Sequence, residues 1–215
     1  DVSAPQRGGM RAAWVVMVAG VCAAMIIGKL PPALPALQRE LGVTLMEAGF
    51  LLSLVQVATL SMGLFLGLAT DGFGLRRSML VGLSLMSVAS LTGGWAGSAT
   101  LLLVLRAFEG LGFLLTSLPA PAVLRRPVPP ERVTQIMGIW GVYVPFGTAL
   151  AMLLGPAVIL AVGWYGWWWL IALFCVLCLL AVWHWVPPDT PKAPQPAGAG
   201  GRTDKPRRTL ASTAP

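Results

Sequence analysis

The sequence is poor in charged residues: only 11% of its 215 residues are Asp, Glu, Lys or Arg, whereas 56% are hydrophobic. A soluble domain carries roughly a quarter charged residues, so water is not the main solvent of this chain. Its mean hydropathy is +0.77, and apolar runs of about 20 residues, the length that crosses a bilayer's hydrocarbon core, recur along it. The composition excludes an ordinary soluble domain and predicts an integral membrane protein surrounded by lipid.

Residues that carry enzyme chemistry are equally scarce, with one histidine and three cysteines. His184 stands between two tryptophans at the end of an apolar run, which favours a position at the membrane interface. Cys22, Cys175 and Cys178 all lie inside apolar runs. The last two have the spacing of a redox or metal motif, but no second Cys or His pair accompanies them, so small packing residues are the favoured interpretation. The sequence predicts neither an enzyme nor a cofactor nor a metal site.

The net charge of +7 does not indicate a nucleic-acid partner, because the basic residues form no aromatic-interleaved basic face. Twelve of the 15 Lys and Arg residues fall on one side of the predicted membrane segments, and Arg39 alone falls on the other. The positive-inside rule therefore predicts a multi-pass protein of the plasma (inner) membrane with both termini in the cytoplasm. The twelve are Arg7, Arg11, Arg76, Arg77, Arg125, Arg126, Arg132, Lys192, Arg202, Lys205, Arg207 and Arg208.

Uninterrupted apolar stretches predict six spans, near 13–37, 47–70, 78–98, 100–124, 136–162 and 165–186. Each must be a helix, because backbone groups in lipid have to be hydrogen-bonded within the segment. The predicted organisation is a cytoplasmic segment over 1–12, a six-helix bundle over 13–186, and a basic segment rich in Pro, Gly and Ala over 187–215. We expect the last to be a disordered cytoplasmic tail or a linker between bundles.

Aromatic and helix-breaking residues mark the ends and bends of these spans. All nine tryptophans fall near span ends, where amphipathic rings prefer the membrane interface. Prolines are predicted to distort the outer end of the first span and to interrupt the fourth and fifth, at Pro31, Pro32, Pro35, Pro119, Pro121, Pro145 and Pro156. Whether they mark a moving part or ordinary helix bends stays open. Glycines predicted to allow close helix packing are Gly63, Gly67, Gly138, Gly141, Gly147 and Gly155.

Charged side chains inside the predicted spans are the sharpest functional signal, because each costs at least ~2.5 kcal/mol unless it is paired or faces water. Lys29 in the first span and Arg106 in the fourth both lie ~10 Å below the outer boundary. Glu109 follows Arg106 by three residues, on the same helix face, and is predicted to pair with it. Lys29 is then left without an acidic partner. Either it snorkels to the outer interface, or it lines a wet, positively charged cavity that favours an anionic solute.

The connection between the second and third spans resembles a loop signature of the major facilitator superfamily. In that family Gly, Asp, Gly and a basic residue recur at positions matched here by Gly67, Asp71, Gly74 and Arg76. The chain departs from the pattern at two neighbouring positions that are often basic, and Arg77 is the candidate substitute.

The fourth span is similar to the family's Arg-xxx-Gly-x-Gly motif, which is linked to proton coupling, through Arg106, Gly110 and Gly112. Gly147 and Gly155-Pro156 resemble the family's antiporter motif faintly, without its trailing glycine pair. The fourth and fifth spans are also similar to the cyanate and nitroimidazole transporter branch.

The resemblance covers about 13–186 and implies the N-terminal half of a twelve-helix fold: an all-α bundle of two inverted three-helix repeats, whose first and fourth helices line the central cavity. The Asp71 loop would act as a cytoplasmic latch, with its carboxylate facing a helix N-terminus.

This fold implies a secondary transporter that moves a small solute by alternating access. Its partner would be a second six-helix bundle, supplied by a C-terminal half or by a second copy. If transport is coupled to protons, Glu109 is a better candidate than Asp71 to carry them. A non-transporting fragment that packs against other membrane proteins is the alternative.

Overall fold

Helices account for nearly all of the chain that the structure describes. The structure, a computed structural model, describes the backbone of residues 5–126 and 128–189 and the side chains of residues 9–61, 74–126 and 128–189. No strand occurs within these ranges, in agreement with the predicted all-α class. The helices are α1 (Pro5–Gly28), α2 (Leu30–Leu41), α3 (Leu45–Phe73), α4 (Leu75–Gly93), α5 (Ala99–Ser117), α6 (Ala120–Arg125), α7 (Pro130–Gly141) and α8 (Tyr143–Trp185).

These helices follow the six predicted segments, of which three are divided by a break. Helices α1 and α2 form the first segment, α5 and α6 the fourth, and α7 with the first part of α8 the fifth. The sixth segment is the second part of α8. The two parts of α8 meet at Gly163, whose φ of 77° and ψ of 170° are not helical. Glycine suits this position because the left-handed region carries no Cβ penalty for it.

Prolines explain the divisions within the first and fourth segments, as predicted. A proline has no N–H and cannot donate to the carbonyl four residues earlier. The chain turns at Lys29, and Pro31 and Pro32 follow in the first turn of α2. Similarly, α6 begins directly after Pro119.

In the fifth segment the prediction was right at one proline and wrong at the other. The segment divides at Val142, and Pro145 stands in the first turn of α8, where it cannot donate to the last residue of α7. Pro156 does not interrupt the helix: α8 continues through it, and Gly163 is the only residue inside α8 with non-helical dihedral angles. The hinge predicted at Gly155 and Pro156 is therefore absent from the structure.

By length and composition, three helical stretches among the described residues could cross a membrane: Gly9–Leu41, Ala99–Arg125 and Pro130–Trp185. The last has 56 residues, far more than the roughly 20 that one crossing needs, and its break at Gly163 falls between the fifth and sixth predicted spans. A shorter apolar stretch covers Leu45–Ser61. The sixfold crossing and the cytoplasmic side of both termini stay predictions.

The core lies where α1 packs on α8, where α4 packs on α5 and α8, and where α3 packs on α5. Glycines permit several of these approaches. A Cβ atom added at Gly147 would lie 2.5 Å from the carbonyl oxygen of Val21 on α1, and one added at Gly112 would lie 2.6 Å from the carbonyl oxygen of Gly82 on α4. The close packing predicted from these glycines is therefore present.

Two further predicted packing positions also touch neighbouring helices, while others do not. A Cβ at Gly155 would lie 2.6 Å from Cγ of Pro32, so Gly155 makes room for the start of α2. A Cβ at Gly110 would lie 3.0 Å from Cβ of Ala58 on α3. Gly138 and Gly141 face open space. Gly63 and Gly67 lie in the part of α3 whose side-chain surroundings fall outside the described residues.

Candidate functional site

The structure brings the three intramembrane charges predicted from the sequence into one buried cluster. Lys29 Nζ donates to Glu109 Oε1 in an ion pair, and Arg106 Nη1 donates to Glu109 Oε2 at 2.8 Å. Lys29 is 0% exposed, and Arg106 and Glu109 are each 1% exposed. One carboxylate therefore serves two cations, and the cluster carries one net positive charge when all three groups are ionised.

Lys29 corrects the expectation that it lacks an acidic partner. Its ammonium pairs with Glu109, donates to Ser90 Oγ at 2.9 Å, and lies 4.6 Å from the centroid of the Trp168 ring. Ser90 Oγ also donates to Glu109 Oε1 at 2.7 Å. The side chain thus neither snorkels nor lines a wet cavity in this structure. It points inward, because the break between α1 and α2 places Lys29 against α4, α5 and α8.

Arg106 fixes the backbone of two other helices. Its Nη1 donates to the carbonyl oxygen of Ile26 at 2.8 Å, and its Nε donates to the carbonyl oxygen of Leu51 at 3.3 Å. Ile26 lies at the end of α1, where the break leaves carbonyls without their usual helical donors. A planar guanidinium supplies several donors at fixed angles. Arg106 can therefore hold α1, α3 and Glu109 together.

The indole groups beside Lys29 were assigned by sequence analysis to the membrane interface, and the structure places them in the core. Trp167 and Trp168 are 0% and 1% exposed. Trp167 Nε1 donates to the carbonyl oxygen of Lys29 at 3.0 Å, and the neighbouring Trp164 Nε1 donates to Glu40 at 2.8 Å. A run of three consecutive tryptophans could have signalled this, since adjacent helical residues point about 100° apart and cannot all face the headgroups.

The loop signature leads into a capped helix. Gly74 has φ 96° and stands at the N-terminus of α4, where the backbone N–H groups of Arg76 and Arg77 donate to the two carboxylate oxygens of Asp189, each at 3.1 Å. A carboxylate suits this place because helix N-termini present unpaired donors and a partial positive charge. Asp189 lies in the segment predicted to be a disordered tail, and it was missed.

Other parts of the loop signature are only partly described. The Arg76 guanidinium donates to the carbonyl oxygen of Trp183 and lies 5.7 Å from its ring centroid. The beginning of α4 and the end of α8 therefore share one end of the bundle, as the charge pattern predicted. Gly67 and Asp71 lie on α3. Their surroundings fall outside the described side chains, so the latch role of Asp71 stays a prediction.

The three cysteines lie together in the packed interface between α1 and α8. All are buried, and Cys22 Sγ lies 3.7 Å from Cys175 Sγ. Among the described side chains, no group of three or more His, Cys, Asp or Glu residues could hold a metal ion. The observed thiols are free and form part of the core.

An apolar cavity of about 310 Å³ lies apart from the charge cluster, between α1 and the junction of α7 and α8. Its wall includes Trp14, Val21, Tyr143 and Phe146. A volume of this order is at the lower end of pockets that hold small molecules. The charged groups contribute nothing to its lining.

Comparison with known proteins supplies a family and several relatives. A family model described as Major Facilitator Superfamily matches residues 16–214. The chain is 30% identical over 130 residues to the tetracenomycin C resistance and export protein of Streptomyces glaucescens, covering 60% of this chain and 24% of that protein. It is 30% identical over 153 residues to the puromycin resistance protein pur8 of Streptomyces alboniger, covering 70% of this chain and 29% of that protein.

A solved structure shares the fold. The crystal structure of a bacterial homologue of the human lysosomal transporter Spinster, inward-facing and unoccupied, matches with a TM-score of 0.68 and 17% identity, over 93% of this chain and 48% of that one. The chain thus spans about a quarter of the length of its curated relatives and about half of the solved transporter.

Proposed function

We propose, on the premise that this chain belongs to the Major Facilitator Superfamily, that it forms one six-helix half of a secondary transporter that exports a small organic solute by alternating access. The premise confirms the resemblance found in the motifs, and the matched proteins are transporters rather than enzymes. The relatives named for antibiotic resistance and export support outward transport. The cyanate and nitroimidazole branch stays a prediction.

The observation that carries this proposal is the buried cluster of Lys29, Arg106 and Glu109. Glu109 is the only buried carboxylate among the described side chains, and both buried cations pair with it. The cluster and its hydrogen bonds join the α1–α2 break to α3, α4 and α5. A change of charge on Glu109 would therefore alter contacts among most helices of the bundle at once.

Proton exchange at Glu109 gives this cluster a coupling function. With Glu109 ionised the cluster has a net charge of +1, and with Glu109 protonated it has a net charge of +2. A second uncompensated charge in an apolar interior is costly. We therefore expect Glu109 to take up a proton only when the helices separate and water enters, so that protonation and helix movement occur together.

The charge of the solute is not carried over from the sequence prediction. An anionic solute was favoured because Lys29 was expected to have no acid beside it, and Glu109 now occupies that place. The apolar cavity beside Trp14 and Phe146 supports a largely apolar organic solute. We keep an anion as the alternative for a conformation in which Glu109 is protonated and Lys29 is free to bind a solute.

A second bundle is required by this proposal. The chain covers 48% of the solved transporter that shares its fold, and large apolar side chains such as Leu60 and Leu160 are 83% and 91% exposed. The partner is either the continuation of a longer protein or a second copy of this chain. Lipid covers the remaining apolar surface in the plasma membrane.

The test is transport of puromycin and tetracenomycin C by a drug-hypersensitive bacterium that produces the chain, alone and with any coding sequence that continues it. Arg106→Ala and Glu109→Gln are compared with Arg132→Ala, an exposed position on α7. We expect resistance in cells with the unaltered protein and with Arg132→Ala, and loss of resistance in the two cluster variants at equal amounts in the membrane.

Coupling is measured in everted membrane vesicles that contain a pH-sensitive dye. Adding a transported solute should release protons from the vesicles with the unaltered protein and not with Glu109→Gln. Transport that survives both cluster substitutions would refute the assignment of the site. A protein that reaches the membrane, confers no resistance in either form and is recovered with other membrane proteins would instead support the non-transporting assembly partner.

A further inference from the structure

The Lys29 ammonium has contacts on three helices, and only one of them depends on the charge of Glu109. The ion pair reaches α5, the hydrogen bond to Ser90 reaches α4, and the face of Trp168 reaches α8. When Glu109 takes up a proton, the ion pair loses its attraction, whereas the hydroxyl and the ring remain. Trp168 is then the largest electrostatic partner left to Lys29.

The Trp168 ring is held firmly enough to act in this way. Its indole is almost fully buried and meets the Trp164 ring edge-on, with centroids 5.6 Å apart and planes at 89°. Gly93 of α4 makes space for it, since a Cβ atom there would lie 2.6 Å from Cδ1 of Trp168. The ring therefore presents its face to Lys29 without a choice of other orientations.

The preceding residue holds the backbone of the same lysine. Trp167 Nε1 donates to the Lys29 carbonyl oxygen at 3.0 Å, at the point where the break separates α1 from α2. Two consecutive indoles of α8 thus contact both the backbone and the side chain of Lys29. Neither indole reaches the membrane interface, so an interfacial anchoring role does not explain them.

We propose that Trp168 is a positioning residue whose ring face holds the Lys29 ammonium inside the bundle, as a charged group, while Glu109 is protonated. This proposal rests on the proton exchange proposed for Glu109. The attraction between a cation and an aromatic face is strongest where both are desolvated, as they are here. Lys29 would keep its place through the protonated state and return to Glu109 when the proton leaves.

The test replaces Trp168 with tryptophans that carry one to four fluorine atoms on the ring, introduced at that position alone. Fluorine weakens the attraction of the ring for cations with little change of shape. The melting temperature of the purified protein in detergent should fall by roughly 1–2 °C per fluorine. In Lys29→Met the same series should be flat, and so should a series at the exposed Trp14.

The decisive comparison is the slope of this series with and without a charged partner for Lys29. In Glu109→Gln, which imitates the protonated acid, we expect a slope at least twice that of the unaltered protein. Glu109→Asp, whose shorter carboxylate is drawn away from Lys29, should give an intermediate slope and serves if Glu109→Gln does not fold.

Equal slopes with and without the carboxylate, or a series that is flat or unaffected by Lys29→Met, would overturn the proposal. The measurement needs no solute, so such a result would leave the transport function standing. Absence of transport together with a graded series would instead refute the transport function alone.

Discussion

The charge cluster predicts that removing its acid is far more damaging than removing one of its cations. Glu109→Gln leaves Lys29 and Arg106 buried without a carboxylate, and breaking a buried pair by removing one partner costs about 3–5 kcal/mol. Lys29→Met leaves a single balanced pair of Arg106 and Glu109, and an apolar chain of similar length still packs on Trp168. We expect this variant to lie within about 1 kcal/mol of the unaltered protein.

The difference between the two variants, roughly 3 kcal/mol, corresponds to a gap in melting temperature of roughly 6–12 °C for a chain of this size. Thermal unfolding in detergent, followed by tryptophan fluorescence, measures it, because the chain carries nine tryptophans. The double variant with both substitutions should fall between the two, since one cation then remains unpaired. The exposed Glu131→Gln is the control and should change nothing.

An equal loss of stability in Lys29→Met and Glu109→Gln would refute this reasoning. It would show that each ion pair contributes through its geometry rather than through the balance of charge. A stable Glu109→Gln variant would refute it as well, because two buried cations would then have to be accommodated without an acid.

Three further predictions concern packing, the helix break and the α4 cap. Gly147→Val should lower the melting temperature by several degrees, as its new side chain meets the backbone of α1, whereas Gly138→Ala, which faces open space, should not. Trp167→Phe leaves a buried carbonyl without its donor, and should cost about 1–3 kcal/mol in a chemical denaturation experiment. Asp189→Ala should cost about 0.5–2 kcal/mol and raise amide hydrogen exchange at the N-terminus of α4 without changing exchange in α7.

Much of the fold could be predicted because membrane solvent restricts the backbone to a few solutions. Apolar runs had to be helices, and prolines had to disturb them where their missing N–H groups fell. Pro156 shows the limit of this argument. A helix that packs well on both sides of a proline can continue through it, and the sequence does not show that packing.

The cluster itself was half predictable. Arg106 and Glu109 are three residues apart on one helix, so their pairing follows from helix geometry. Lys29 joins the same carboxylate from a position 80 residues earlier, and that contact depends on the direction of the α1–α2 break. Depth in the membrane indicated which charges lie in one layer, but not which of them touch.

The buried tryptophans were missed because proximity to a span end was taken to mean contact with headgroups. Trp164, Trp167 and Trp168 lie near such an end and yet face protein. Depth along a helix and direction around it are independent, and only the second decides whether a ring meets lipid or protein. Asp189 was missed because composition averages over a segment, and the segment's first polar residue behaves differently from its remainder.

The bond between Asp189 and the beginning of α4 sets the starting point of everything that follows it in the chain. Because the carboxylate is tied to a helix end 113 residues upstream, the polypeptide leaves the bundle from beneath the loop between α3 and α4 rather than from the tip of α8. Residues inserted after Asp189 would only lengthen what comes next. An insertion between Val186 and Asp189 would move that departure point, and with it the reach of any bundle attached there.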